Sequence, residues 1–107
     1  MKRYDLFWAS LDPTRGAEIA KTRPVVIVSL DELNAVLDTV VVCPLTTSLH
    51  PTWRSRLVVR AGTHRAEIAV DQIRTISKSR LRRKLGRISE KEAGTLRRLI
   101  SEMYGEP

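Results

Sequence analysis

Arg23-Pro24-Val25-Val26-Ile27-Val28 is the stretch on which the fold reading turns. Proline biases Arg23 toward an extended backbone and suits the first position of a strand. The unbroken apolar run behind it implies a strand buried on both faces. Thr39-Val40-Val41-Val42-Cys43 repeats that pattern, and Pro44 ends it. Upstream, Tyr4 to Leu11 reads as a strand with Leu6, Trp8 and Ser10 on one face and Phe7, Ala9 and Leu11 on the other. Trp8 is expected in the core. Asp12-Pro13-Thr14-Arg15-Gly16 opens a loop that runs on through Thr22.

Downstream, Asp31 to Asp38 is expected to form a short helix carrying Leu33, Val36 and Leu37, with Asp31 as its N-cap. Leu45-Thr46-Thr47-Ser48 forms a polar shelf past the third strand. Further strands are expected at Arg56 to Arg60, Ala66 to Val70 and Gln72 to Ile76, with Ala61-Gly62-Thr63-His64 as a turn. Ser89-Glu90-Lys91-Glu92 is a capping box. Ala93, Leu96, Leu99, Ile100 and Met103 follow at helical spacing, and Gly105 is a stop. Short connections favour antiparallel pairing. The fold expected is mainly β with α: a small curled antiparallel sheet or β-barrel with a C-terminal amphipathic helix, residues 1–107 forming one domain.

The chain has 107 residues, 42% of them hydrophobic, enough for a core without disulfides. Nineteen Lys and Arg face 12 Asp and Glu, a net charge of +7, and such a surface attracts polyanions. Basic charge also serves solubility alone. Cys43 is the single cysteine, so no internal disulfide forms. The start lacks a signal core and no run is long enough to span a membrane, so a cytoplasmic location is expected.

Cys43, His50 and His64 have no metal-ligand spacing, and no Walker loop or nucleophile elbow is present, so neither metal nor cofactor is expected. His50 and His64 sit where solvated loop histidines are ordinary. What remains is a set of polar residues at strand tips. Glu18, Lys21, Thr22 and Arg23 run into one buried strand; Thr46, Thr47 and Ser48 follow another. An arginine held there suits a phosphate, through paired hydrogen bonds and permanent charge. A hydroxyl can donate to oxygens that gain charge in a transition state, and a carboxylate such as Glu18 can take a proton. RNA cleavage by its own 2′-hydroxyl needs such groups, although an Arg before a Pro is also an ordinary surface residue. Asp71 and Gln72, between two apolar halves, need partners or a bulge; a structural pair and a substrate contact are equal readings. Arg80 to Arg87 is a basic cluster able to follow a phosphate backbone or simply face water. Trp53, beside Arg54, can stack on a base or cover the core's edge.

Three ordered motifs together resemble the MazF/PemK toxin endoribonucleases. They are Leu11 to Glu18 followed by Lys21 to Ser29, then Cys43-Pro44-Leu45-Thr46-Thr47-Ser48, then Val70-Asp71-Gln72-Ile73-Arg74-Thr75-Ile76. The resemblance implies an SH3-like or CcdB-like barrel working as a homodimer. It implies metal-independent, sequence-selective cleavage of single-stranded RNA, commonly messenger RNA, to 2′,3′-cyclic phosphate and 5′-hydroxyl ends. A cognate antitoxin would block the RNA groove with a disordered segment. By motif, Arg23, Thr46 and Glu18 would be catalytic. Thr47, Asp71 and Gln72 would line the RNA groove, and Thr14, Arg15, Lys21, Thr22, Ser48 and Trp53 are further candidate contacts. The sequence departs from the family pattern at Tyr4, where Gly is usual, and at Ile19, where Gln is usual. Ala17 and Ala69 replace the histidine and arginine that some members use. The rival reading is a non-catalytic CcdB-like module that poisons a topoisomerase or only binds nucleic acid.

Overall fold

The buried run around Val25 lies next to the centre of an antiparallel sheet. The computed structural model describes residues 1–61 and 64–107; of Ala61, only the backbone is described. The strands are β1 (Asp5–Ser10), β2 (Thr22–Ile27), β3 (Thr39–Thr46), β4 (Arg56–Ala61), β5 (His64–Ala69), β6 (Arg74–Ser77) and β7 (Leu81–Arg87). Helix α1 is Asp31–Val36 and α2 is Glu90–Tyr104. The seven strands run in the order β4-β5-β3-β2-β1-β7, with β6 added to the first half of β3. β4 and β7 do not pair, so the sheet is curled but open, and "barrel" describes it only loosely.

Val25 to Val28 are all buried, as the unbroken apolar run requires. They feed two cores, because alternate residues of a strand point to opposite faces. Val26, Val28, Cys43, Leu45, Ile68 and Leu96 belong to one core, with Leu6 packed against it. Ala9, Leu11, Val25, Ile27, Val40 and Val42 make the other, with Phe7 against it. Helix α2 closes the first core. The capping box at Ser89 forms as expected: the Ser89 hydroxyl accepts from Glu92 N–H and the Glu92 carboxylate from Ser89 N–H. Gly105 caps its end.

Several expectations are corrected. The N-cap of α1 is Leu30, without a side-chain bond; Asp31 instead accepts from the Arg3 backbone N–H. Leu33, Val36 and Leu37 are exposed, and the buried residue of α1 is Asn34, held by Ser29. Val70–Gln72 is a 3-10 turn, so β6 begins at Arg74 rather than Gln72. His64 starts β5 and pairs with Ala61, while Gly62 and Thr63 of the expected turn lie outside the described residues. The basic stretch after Arg80 is an edge strand. Trp8 is half-buried rather than a core residue.

Tyr4 has φ 74°, in the left-handed region where a side chain is strained and Gly is favoured. Its ring offsets that cost: it is buried, its hydroxyl accepts from Arg97, and the Arg3 and Arg97 guanidiniums lie over it.

Candidate active site

β2 and β3 pair with Val25 opposite Pro44 and Val26 opposite Cys43. Continuing that register sets Arg23 opposite Thr46, at the end of two buried strands. The two form the floor of a groove of about 720 Å³. One wall comes from β1 and β7, through Leu6, Trp8, Leu85, Gly86 and Arg87; the other comes from β4 and β5, through Arg60, His64 and Ala66. The open sheet explains the groove: strands from its two unpaired ends rise on either side of its centre. A bulge helps, since Leu6 pairs with Gly86 but Phe7 with Lys84, which leaves Leu85 unpaired and exposed into the groove. Gly86, at φ 141°, has a backbone that side chains rarely adopt.

Arg23 is half-buried, and its Nε donates to the Ala20 carbonyl at 2.8 Å. That bond fixes the guanidinium by its stem side and leaves both terminal nitrogens without a protein partner among the described residues. Thr46 is buried; its Oγ1 accepts from Ser48 N–H at 3.0 Å, so its hydroxyl proton stays available. Lys21 and Thr22 line the mouth. Lys21 has φ 71°, a strained conformation held by Asp12, which accepts from its N–H, and by Leu11, which donates to its carbonyl. Four of the groove residues are Lys or Arg, and none is Asp or Glu. The site is therefore built to hold an anion.

The structure brings Arg23, Thr46, Lys21, Thr22 and Thr47 together, and places the other candidates elsewhere. Glu18 is exposed on its loop, where its carboxylate accepts from Arg15 N–H and does not reach the groove. Thr14 and Arg15 also stay outside it. Gln72 accepts from Ile19 N–H and so ties the loop to the 3-10 turn.

Ser48, Trp53 and Asp71 belong to a second cluster centred on Arg56. Its guanidinium donates to Glu67, to Asp71 and to the Ser48 carbonyl. Glu67 is fully buried, and it also accepts from His50 N–H, leaving its other oxygen without a partner. Trp53 already has partners on its ring, although it is 47% exposed. His50 stacks on its ring at 3.8 Å, and the Arg56 guanidinium lies 4.9 Å from the ring centroid. Sequence reasoning missed Glu67, because it reads as one polar residue inside an apolar strand. It also missed Arg60, Leu85 and Arg87 as groove residues; only the basic run hinted at the last.

Burial pushes the Cys43 thiol up to about 12, with Asp71 adding to it, which makes the thiol unreactive. Among the described residues no three His, Cys, Asp or Glu side chains gather as metal ligands do. Nor is any described helix long and apolar enough to cross a membrane.

Comparison with known proteins matches residues 2–104 to the family described as PemK-like, MazF-like toxin of type II toxin-antitoxin system. The chain is 31% identical over 105 residues to endoribonuclease MazF9 of Mycobacterium tuberculosis, covering 90% of this chain and 89% of that one. It is 31% identical over 110 residues to endoribonuclease MazF of Staphylococcus saprophyticus, covering 98% and 92%. Among solved structures, MazF from Deinococcus radiodurans superposes with a TM-score of 0.85 at 20% identity, over 99% of this chain and 97% of that one. An endoribonuclease in complex with its cognate antitoxin, from a mycobacterial species, gives 0.83 at 20% identity over 100% and 97%.

Proposed function

The chain belongs to the PemK-like, MazF-like family of toxins of type II toxin-antitoxin systems, and on that premise we propose that it is an endoribonuclease cutting single-stranded RNA in the groove above Arg23 and Thr46. One observation supports this most: the β2–β3 register, continued to the strand ends, sets Arg23 opposite Thr46, with no partner for its two terminal nitrogens and no carboxylate in the groove lining among the described residues.

In the proposed reaction the substrate's 2′-hydroxyl attacks the adjacent phosphorus. The 2′-hydroxyl proton passes to water, the bond to the 5′-oxygen breaks and that oxygen takes up a proton, so 2′,3′-cyclic phosphate and 5′-hydroxyl ends result. The Arg23 fork suits the equatorial phosphate oxygens, whose charge grows in the transition state, and the Thr46 hydroxyl adds a donor. A guanidinium does not give up its proton in proteins, so Arg23 acts as a charge and not as a base. Glu18 can serve as the base only if its loop turns the carboxylate away from Arg15. Lys21, Thr22 and Thr47 would hold the flanking phosphates and sugars. Selection of a short sequence follows from splayed bases meeting the uneven apolar walls at Trp8 and Leu85.

The working form is proposed to be a homodimer in the cytoplasm. The exposed apolar side chains of Leu30, Leu33, Val36 and Leu37 support a protein contact there. A cognate antitoxin is proposed to cover the groove with an extended segment.

The test is incubation of purified protein with a mixed single-stranded RNA pool in excess chelator, followed by mapping of new 5′-hydroxyl ends. Ends recurring at one short sequence are expected. Absence of ends, or cleavage only after metal is added, contradicts the proposal.

A further inference from the structure

Every group on the groove floor can stabilise charge, yet breaking the phosphodiester also requires a proton for the departing 5′-oxygen. Resting on the endoribonuclease reading above, we propose that His64 is the general acid that supplies it. Three observations carry this. His64 shares a face of β5 with Ala66, since side chains two apart point the same way, and both line the groove. The other charged groups that line the groove are Lys21 from the loop, Arg23 from β2, Arg60 from β4 and Arg87 from β7. Among these an imidazole is the only group whose protonation ordinarily changes between about pH 5 and 8, the range in which proton transfer is efficient.

The role assigned to His64 is that of acid, and the sulfur substrate below decides between it and the base. β5 flanks Thr46 on one side, and the loop carrying Lys21 enters from the β1 and β2 side. Attacking and leaving oxygens lie roughly in line through the phosphorus. For a phosphate seated on Arg23 and Thr46, the proposal places the departing 5′-oxygen on the β5 side of the groove, where His64 stands, and the attacking oxygen on the opposite side. The step balances without another reactant. The 2′-hydroxyl proton passes to a groove water as the bond from O2′ to phosphorus forms. The bond from phosphorus to O5′ breaks, imidazolium gives its proton to O5′, and solvent water restores it.

The test compares wild type with His64→Asn in single-turnover cleavage of one oligoribonucleotide across pH. The same comparison is made on a substrate whose bridging 5′-oxygen is replaced by sulfur, a leaving group that needs no proton. His64→Asn should lose about a hundredfold or more on the oxygen substrate. It should also lose any fall in rate that wild type shows at rising pH, and recover to near wild type on the sulfur substrate. Wild-type cleavage with an unaffected variant overturns the assignment alone, as does an equal loss on both substrates or a pH limb that moves to Glu18→Gln instead. A wild type that leaves the oxygen substrate uncut overturns the endoribonuclease reading and the acid with it. Because His64 is exposed, the variant should melt as wild type does, and that melt separates lost chemistry from lost folding.

Discussion

Two polar clusters flank the end of β3, and they differ in where their hydrogen-bonding groups are spent. Around Arg23 and Thr46 the protein uses one bond each to fix the side chain and leaves the remaining donors facing a groove. Around Arg56 and Glu67 the hydrogen-bonding groups turn inward: Arg56 donates to Glu67, Asp71 and the Ser48 carbonyl, Glu67 also accepts from His50 N–H, and Trp53 packs against His50 and Arg56. The first arrangement is that of a site waiting for an anion. The second is a brace that holds the segment between β3 and β4, including Thr47 at the groove's edge. Charge and polarity alone do not separate the two; the state of the hydrogen bonds does.

The comparison breaks most sharply at Glu67. Glu67→Ala leaves the Arg56 side chain, only 7% exposed, without its buried counter-ion. Leaving a buried charge wholly uncompensated costs about 3–5 kcal/mol; Asp71 stays bonded to Arg56, so the urea midpoint should fall clearly but by less than that full cost. A midpoint close to wild type would mean that the brace carries little. Thr46→Val removes one neutral donor from the groove and keeps the shape, so cleavage should slow about tenfold with unchanged melting.

Trp53→Ala sharpens the distinction further. It removes a stack and a cation–π contact worth about 1–2 kcal/mol together, which thermal melting should register. KM for RNA should stay within about twofold, whereas a base-stacking platform would be worth about 1–3 kcal/mol of binding. The smallest effect concerns Cys43. Its folded thiol is raised from 9.0 to about 12, so the folded state keeps a proton that the unfolded chain releases. Stability from this source is complete below about pH 9 and declines as pH climbs toward 12. Cys43→Ala should remove that part of the alkaline loss in urea titrations.

Much of the fold is legible in the sequence for a simple reason. Val25 to Val28 are buried, as are Val40, Val42 and Cys43 around the half-buried Val41, and a strand buried on both faces leaves an unbroken apolar run. β7 leaves no such trace. It is an edge strand with a bulge, and Arg82, Arg83, Lys84 and Leu85 are all exposed, so no burial period marks it. In α1 the apolar residues mislead, because Asn34 is buried by polar bonds to Ser29 that no hydrophobic pattern reports. The floor of the candidate site, Arg23 and Thr46, was legible from strand tips and from motif resemblance. Its walls were not, since Arg60, His64 and Arg87 reach the groove only through the curl of the sheet. Glu67 and Arg56 stand on different strands, and each looks ordinary until the register sets them on a diagonal, Arg56 opposite Ala69 and Glu67 opposite Val58.

The central claim is that Arg23 carries the chemistry and not the fold. Its most direct test is the single-turnover cleavage rate of purified Arg23→Ala, measured beside its unfolding midpoint. The account predicts a loss of about a hundred- to a thousand-fold with the midpoint unchanged. A variant that cuts RNA as fast as wild type, or one that loses activity only because it no longer folds, would contradict it.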